Sequence, residues 1–276
     1  MGMGWDTLRA HWTELLASRK AEGDSYVVID NVADLRAKWP GILASHPDLI
    51  EIYLLDGERY EELHADTNAL DRNGRDPALV RPIVASAHQS GLRVAAHIET
   101  AADFRTAVAA GVDIIAHLPG LAIRSDQDIP RFTLTDADAA LAASHKAIVI
   151  PTAWLASQDR ISGGDHSQIE RTRTVQVRNM RLLLNRGVRL AIGSDLFENA
   201  SIEARYLLAL GVVSNAALLN VWVDTASVIF PDRRIGRLSD GYEASFLVLA
   251  CNPVTEFRCV EQIRSRMKQG ELLPNQ

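Results

Sequence analysis

A single unit is repeated along this sequence: a short apolar run, a turn, an amphipathic helical segment and a glycine. The apolar runs are Tyr26–Asp30, Leu49–Leu55, Leu92–Ile98, Val112–His117, Ala147–Thr152 and Val188–Gly193. The helical segments are Ala33–Ser45, Pro77–Ser90, Ala101–Ala110, Asp136–Ser144, Ser167–Asn185, Ile202–Leu210 and Asn215–Ala226. Continuously apolar runs are typical of parallel strands covered on both faces. The repeat therefore predicts an α/β protein with a parallel sheet.

Polar residues end the predicted strands, and this favours a TIM-like (β/α) barrel over an open sheet. They are Glu51, His97, His117, Thr152 and Asp195. The carboxyl ends of barrel strands converge on one mouth, where catalytic groups gather, whereas an open sheet spreads them along an edge. An open-sheet nucleotide-binding protein is also disfavoured because no Gly-rich phosphate loop follows a first strand.

The predicted barrel is incomplete. The sequence contains six strand–helix units, whereas a closed barrel of this type needs eight. The last part changes character, since Ala244–Ala250 and Ile263–Leu272 are predicted to be antiparallel strands, half of a small β-sandwich. We predict a helical segment over 1–25, a partial barrel over 26–235 and a sandwich tail over 236–276. Unpaired barrel edges predict association with a second copy or with a partner chain that supplies the missing strands.

Composition limits the classes of partner and the compartment. The 276 residues carry a net charge of −6, which argues against nucleic acid or an anionic membrane surface as a partner. No apolar run approaches the about 20 residues of a membrane span. The first residues lack the apolar stretch of a signal peptide, so the chain as written is expected to be cytoplasmic. Two cysteines, Cys251 and Cys259, are too few for a disulfide framework, and we expect plain thiols.

His97 and His117 end neighbouring predicted strands, twenty residues apart. Imidazole nitrogen suits Zn²⁺ and related ions, so two such groups at one mouth predict half of a metal site. A single histidine in such a place is more often a satisfied core or surface group, and only the matched pair favours the metal.

Three further residues are candidates for the same site. Asp195 could accept a proton from a metal-bound water, or it could simply begin the next helix as an N-cap. Glu51 lies within an apolar strand, where a charge is costly unless it is paired or binds a metal. Tyr53 shares the strand parity of Glu51 and could touch substrate, although ordinary packing is the more common role for such a residue.

These residues lie in a sequence that resembles a known family. The run GLRVAAHIETAADFRTAVAAGVDIIAHLPG resembles barrel strands five and six of the amidohydrolase superfamily, each ending in a metal-ligand histidine. RLAIGSD resembles the eighth strand with its catalytic aspartate. The tail IGRLSDGYEASFLVLACNP resembles the return into the β-sandwich in the imidazolonepropionase-like branch. The resemblance implies His97 and His117 as metal ligands, and Asp195 as a general acid/base that also approaches the metal.

The sequence departs from the family at two places. No His-x-His pair, which the family carries on its first strand, occurs in this chain, and the first strand here corresponds to the third of the family. Glu51 stands where the fourth strand usually carries a carboxylated lysine. Some single-metal members use a glutamate there, so Glu51 argues against a lysine-bridged pair of metals.

The resemblance implies a metal-dependent hydrolase that cleaves a C–N bond in an amide or a cyclic amide. The expected cofactor is one divalent ion, zinc first, with iron or manganese as alternatives, held by Glu51, His97, His117 and Asp195. The substrate would be a small amide or lactam. The alternative is a catalytically inactive fragment or interaction protein that needs a partner chain, and the missing His-x-His favours it.

Overall fold

A computed structural model describes residues 23, 26–65, 74–158, 163–195 and 199–274. Helices and parallel strands alternate through most of the chain. The α-helices are α1 (Val32–Ala44), α2 (Tyr60–Ala65), α3 (Pro77–Gln89), α4 (Ala101–Ala110), α5 (Ile129–Phe132), α6 (Asp136–Ser144), α7 (His166–Asn185), α8 (Ser201–Ala209) and α9 (Asn215–Ile229). The parallel strands are β1 (Leu49–Leu54), β2 (Arg93–Ile98), β3 (Ile114–Ala116), β4 (Ile148–Ile150) and β5 (Arg189–Leu190). The predicted α/β class is confirmed.

The five parallel strands form one sheet in the order of the chain, β1-β2-β3-β4-β5. This is the order of successive barrel strands, and within the described residues the sheet does not close on itself. Side chains on the outer face, such as Val94, Ile115 and Val149, are fully buried in the main core beneath the helices. The structure is therefore an arc of a (β/α) barrel, as the sequence predicted.

Local sequence explains where the helices begin and end. Thr100 and Thr135 each accept the backbone N–H three residues ahead, and Asp103 and Asp138 reciprocate in capping boxes. This motif satisfies two otherwise free amides at a helix start. Gly111 ends α4 in the left-handed region at φ 90°, a conformation that glycine adopts without steric cost.

The predicted strand Tyr26–Asp30 is wrong, because this segment forms no ladder beyond an isolated bridge at Tyr26. A loop segment occupies the edge of β1 instead: the Arg75 amide donates to the Tyr53 carbonyl over 2.7 Å. Gly74 lies so close to this edge that an added Cβ would be 2.4 Å from the Leu55 nitrogen. The sheet accordingly has five strands where six were expected.

The inner face of the sheet is largely open. Tyr53 is 53% exposed and Leu49 is also exposed, because none of the strands in the described part of the chain lies opposite them. Among the described residues, it is the amino-terminal part of the inner face that is covered, where Val228 of α9 packs against Ala95 and Ile114. The expectation that Glu51 is buried in its strand is wrong for the same reason, since its side chain lies on the exposed face.

The tail forms a separate antiparallel sheet in the order β6-β7-β8. Its strands are β6 (Phe246–Leu249), β7 (Ile263–Lys268) and β8 (Glu271–Leu273), so the predicted strand Ile263–Leu272 is a hairpin. Cys251 and Cys259 form a disulfide, which corrects the expectation of thiols: a turn and the 3₁₀ helix Phe257–Glu261 bring their Cα atoms within 5.4 Å.

The domain boundaries remain predictions. The helical segment predicted over 1–25 lies outside the described residues apart from Gly23. Phe257 of the tail packs edge to face on Trp222 of α9, with ring centroids 5.5 Å apart, so the tail shares the main core. Among the described helices, none combines the length and apolar character that crossing a membrane requires.

Candidate active site

Three aromatic side chains meet at the carboxyl ends of the first three strands. Tyr53 of β1 is paired in register with His97 of β2, and their rings stack with centroids 5.0 Å apart. His117 follows β3, and its ring meets His97 edge to face with centroids 4.5 Å apart. The two histidines that the sequence placed on neighbouring strands therefore do lie side by side.

His117 is buried and tied to the next strand. Its Nδ1 lies 2.5 Å from Thr152 Oγ1. The pKa of His117 is lowered to about 4, mainly by burial and also by the neighbouring His97, while Asp195 and Glu99 oppose the shift. His117 is therefore neutral at neutral pH, which is the form of imidazole that binds a metal.

Three carboxylates, those of Glu51, Glu99 and Asp195, lie within electrostatic reach of the two imidazoles. Glu99 Oε1 lies 3.4 Å from His97 Nε2. Partial desolvation raises the pKa of Glu51, while His97 lowers it and Asp195 raises it. Desolvation also raises the pKa of Tyr53, with Glu51 and Asp195 adding to the effect. Because Asp195 shifts the pKa values of Glu51, Tyr53 and His117, it lies within electrostatic reach of all three.

The backbone is left-handed at the ends of three successive strands. His117, Thr152 and Asp195 have φ values of 76°, 46° and 54°. This region is disfavoured for side chains other than glycine and costs roughly 1–3 kcal/mol for each residue. Such conformations persist only where the surroundings hold them, and they cluster at functional sites. Their position at the mouth of the arc supports the choice of this edge as the candidate site.

The predicted metal-ligand set is only partly assembled. His97 and His117 meet, and their donor chemistry suits a divalent ion such as zinc. Across the described part of the chain, however, no three His, Cys, Asp or Glu side chains converge to hold a metal. Glu51 stands on the open face of an edge strand and Asp195 is exposed. The roles of Glu51, His97, His117 and Asp195 as ligands, of Asp195 as the base and of Tyr53 in substrate contact remain predictions.

Sequence reasoning missed Glu99 and Glu203 and the contact that Thr152 makes. Glu99 could have been identified from the sequence, because it is a carboxylate two positions after His97. Thr152 was recognised as a strand-end polar residue but not as the partner of His117. Glu203 had no local signal: it lies on α8, is fully buried, and accepts the backbone N–H groups of Ala153 and Trp154 at 2.8 Å each.

Comparison of the structure with solved structures gives many related proteins. An amidohydrolase matches at a TM-score of 0.69 and 26% identity, covering 91% of this chain and 60% of that protein. A prolidase crystallised with N-methylphosphonate-L-proline matches at 0.68 and 22%, covering 91% and 60%. The ochratoxinase of A. niger matches at 0.68 and 17%, covering 90% and 55%.

These matches span nearly all of this chain but only about 60% of the proteins they come from. No protein-family model matches the sequence, and no curated protein matches it. The similarity is therefore carried by the fold, and it places the chain on a part of these barrels.

Proposed function

We infer that this chain, whose fold is that of the C-terminal part of an amidohydrolase-superfamily barrel, provides part of the active site of a hydrolase that cleaves amide C–N bonds. The observation that carries the proposal is the contact between His97 and His117 at the mouth of the sheet. The solved relatives support the choice of bond, since they include prolidases and a Xaa-Pro dipeptidase. The substrate class that we propose is a small amide or a cyclic amide.

We propose that His97 and His117 hold one divalent ion, zinc or else iron or manganese, with Glu51 and Asp195 as further ligands. Thr152 occupies Nδ1 of His117, so Nε2 is the ring nitrogen left for a metal. Metal-binding histidines usually make such a hydrogen bond through the ring nitrogen that does not bind the metal. When bound, such an ion supplies a water of lowered pKa and polarises the amide carbonyl.

Residues of this chain would transfer the proton, contact the substrate and orient the imidazole. Asp195 accepts the proton of the attacking water and returns it to the leaving nitrogen. The exposed ring of Tyr53, stacked on His97, offers a surface for the substrate. Glu99 lies beside His97 Nε2, where its carboxylate orients the imidazole.

We propose that the site is completed by association, either with a second copy or with a partner chain that supplies the missing strands. The open inner face supports this proposal, because Glu51 and Tyr53 are exposed on it and no strand that the structure describes lies opposite them. The edge at β5 supports it too: it pairs with no further strand among the described residues, and open sheet edges are templates for pairing.

The test is an amidase assay on the protein in its native association state, with its mass in solution measured in parallel. Protein loaded with Zn²⁺, Mn²⁺ or Fe²⁺ is given a panel of N-acyl amino acids, X-Pro dipeptides and lactams. We expect cleavage of at least one amide, loss of that activity in Asp195→Asn, and normal activity in Asp224→Asn, which changes an exposed carboxylate of α9.

Metal-loaded protein that cleaves nothing above the Asp195→Asn background would overturn the proposal. That outcome would favour the alternative of a catalytically inactive interaction protein. The incomplete ligand set of the described residues is the observation on which this alternative stands.

A further inference from the structure

Glu203 is a buried carboxylate placed just behind the candidate site. Its side chain is fully buried, and Oε1 and Oε2 each accept one backbone N–H, from Ala153 and Trp154 respectively. Among the described residues, these two amides are its hydrogen-bond partners. Removing a carboxylate from water is costly unless its oxygens are satisfied, so a group placed here has to do something that an apolar residue could not.

The two amides belong to the start of the 3₁₀ helix Ala153–Ser157, directly after Thr152. Thr152 precedes that helix with φ 46° and ψ 34°, and its side chain makes no capping bond to the helix. A β-branched residue rarely adopts this backbone conformation. The contacts with Glu203 thus fix the two amides that directly follow this strained residue.

The hydroxyl of Thr152 makes hydrogen bonds with Pro151 and His117. Oγ1 lies 2.9 Å from the Pro151 carbonyl oxygen and 2.5 Å from His117 Nδ1. A carbonyl only accepts, and a hydroxyl has one proton to donate. With that proton directed to Pro151, the bond with His117 requires Nδ1–H to be the donor and Oγ1 the acceptor. Neutral His117 then carries its lone pair on Nε2.

We propose that Glu203 is a positioning residue that, through the backbone of Ala153 and Trp154, holds Thr152 where it selects the Nδ1–H tautomer of His117. The relay runs from α8 to the loop after β4 and then to the residue after β3. Its role in catalysis would be to present Nε2 of His117 to a metal, and that role rests on the proposed function. The relay itself is a property of the folded chain.

The experiment is ¹⁵N NMR of the histidine rings in metal-free protein labelled at histidine, at pH 8. The variant His117→Asn assigns the signal. In the wild type we expect one tautomer of His117, protonated at Nδ1 and unprotonated at Nε2. Thr152→Val, which keeps the shape but removes the hydroxyl, should lose this single tautomer, and Thr152→Ser should retain it.

Glu203→Gln tests the first step of the relay, because it replaces one of the two acceptor oxygens by an NH₂ group, which cannot accept the backbone N–H that faces it. We expect loss of the single Nδ1–H tautomer, while circular dichroism still shows a folded protein. Glu203→Asp, which keeps the charge but is too short to reach both amides, is the second variant if Glu203→Gln fails to fold. Asp138→Asn is the matched control, since Asp138 is a buried capping carboxylate on α6 and should leave His117 unchanged.

An Nε2–H tautomer in the wild type would overturn the proposal. So would an unchanged His117 signal in folded Glu203→Gln or Glu203→Asp, which would reduce Glu203 to a cap of the 3₁₀ helix. Because the measurement uses neither metal nor substrate, it fails independently of the amidase assay.

Discussion

The buried carboxylate of Glu203 should make folding stability depend on pH in a way that one substitution removes. Burial raises the pKa of Glu203 from 4.5 to about 7, although the amides of Trp154 and Ala153 oppose the shift. The unfolded chain releases this proton near pH 4.5 and the folded chain near pH 7. Between these values the folded state binds more protons, so its stability falls as the pH rises.

The size of the effect follows from the same two values. Each pKa unit corresponds to about 1.4 kcal/mol of differential stability. Raising the pKa from 4.5 to about 7 therefore costs the folded state about 3 kcal/mol at pH values above both, with most of the loss, about 2–3 kcal/mol, between pH 5 and pH 8. Glutamine at this position does not titrate and should lack this contribution.

The assay is urea unfolding of the wild type and Glu203→Gln at pH 5 and pH 8. The free energy of unfolding of the wild type, relative to that of Glu203→Gln, should fall by about 2–3 kcal/mol between the two pH values. Groups that titrate alike in both proteins cancel in this comparison. A difference that is the same at both pH values would refute the reasoning, because it would show that Glu203 is ionised throughout this range.

Two further predictions concern the packing of α9 and the tail. Arg93→Met removes hydrogen bonds from the guanidinium to the carbonyls of Val228 and Ile229, at 2.5 and 3.1 Å. The substitution should lower the free energy of unfolding by about 1–3 kcal/mol and speed amide exchange at the end of α9. Unchanged exchange there would contradict this prediction. Thiol titration of unfolded protein purified without reductant should find no free thiol, because Cys251 and Cys259 are paired; finding two before any reductant is added would show that this pair does not form.

Much of the fold could be predicted because its signals are local. The helices Ala101–Ala110 and Asp136–Ser144 were predicted at the bounds that the structure has, since a capping threonine and an apolar stripe define them. The strand predicted over Tyr26–Asp30 does not form, because its pairing depended on which segment reaches the edge of β1. The competing loop at Gly74 and Arg75 carries no sequence signal for that contact.

The candidate site was predictable only in part, for a related reason. His97 and His117 could be paired from the rule that carboxyl ends of neighbouring parallel strands converge. The exposure of Glu51 could not be predicted, because it depends on strands that the described sheet lacks. Glu203 was also out of reach: it meets Ala153 fifty residues away in sequence, and on its own helix it looks like an ordinary solvated glutamate.

The central claim is that His97 and His117 form a metal site, and elemental analysis tests it most directly. The protein is purified in its native association state, exposed to zinc, iron or manganese, and freed of unbound ions. The account predicts a stoichiometric divalent ion that is lost in His97→Asn and in His117→Asn but kept in His88→Asn, an exposed histidine bonded to Asp113. No bound metal after reconstitution, or an ion that both site variants retain, would contradict it.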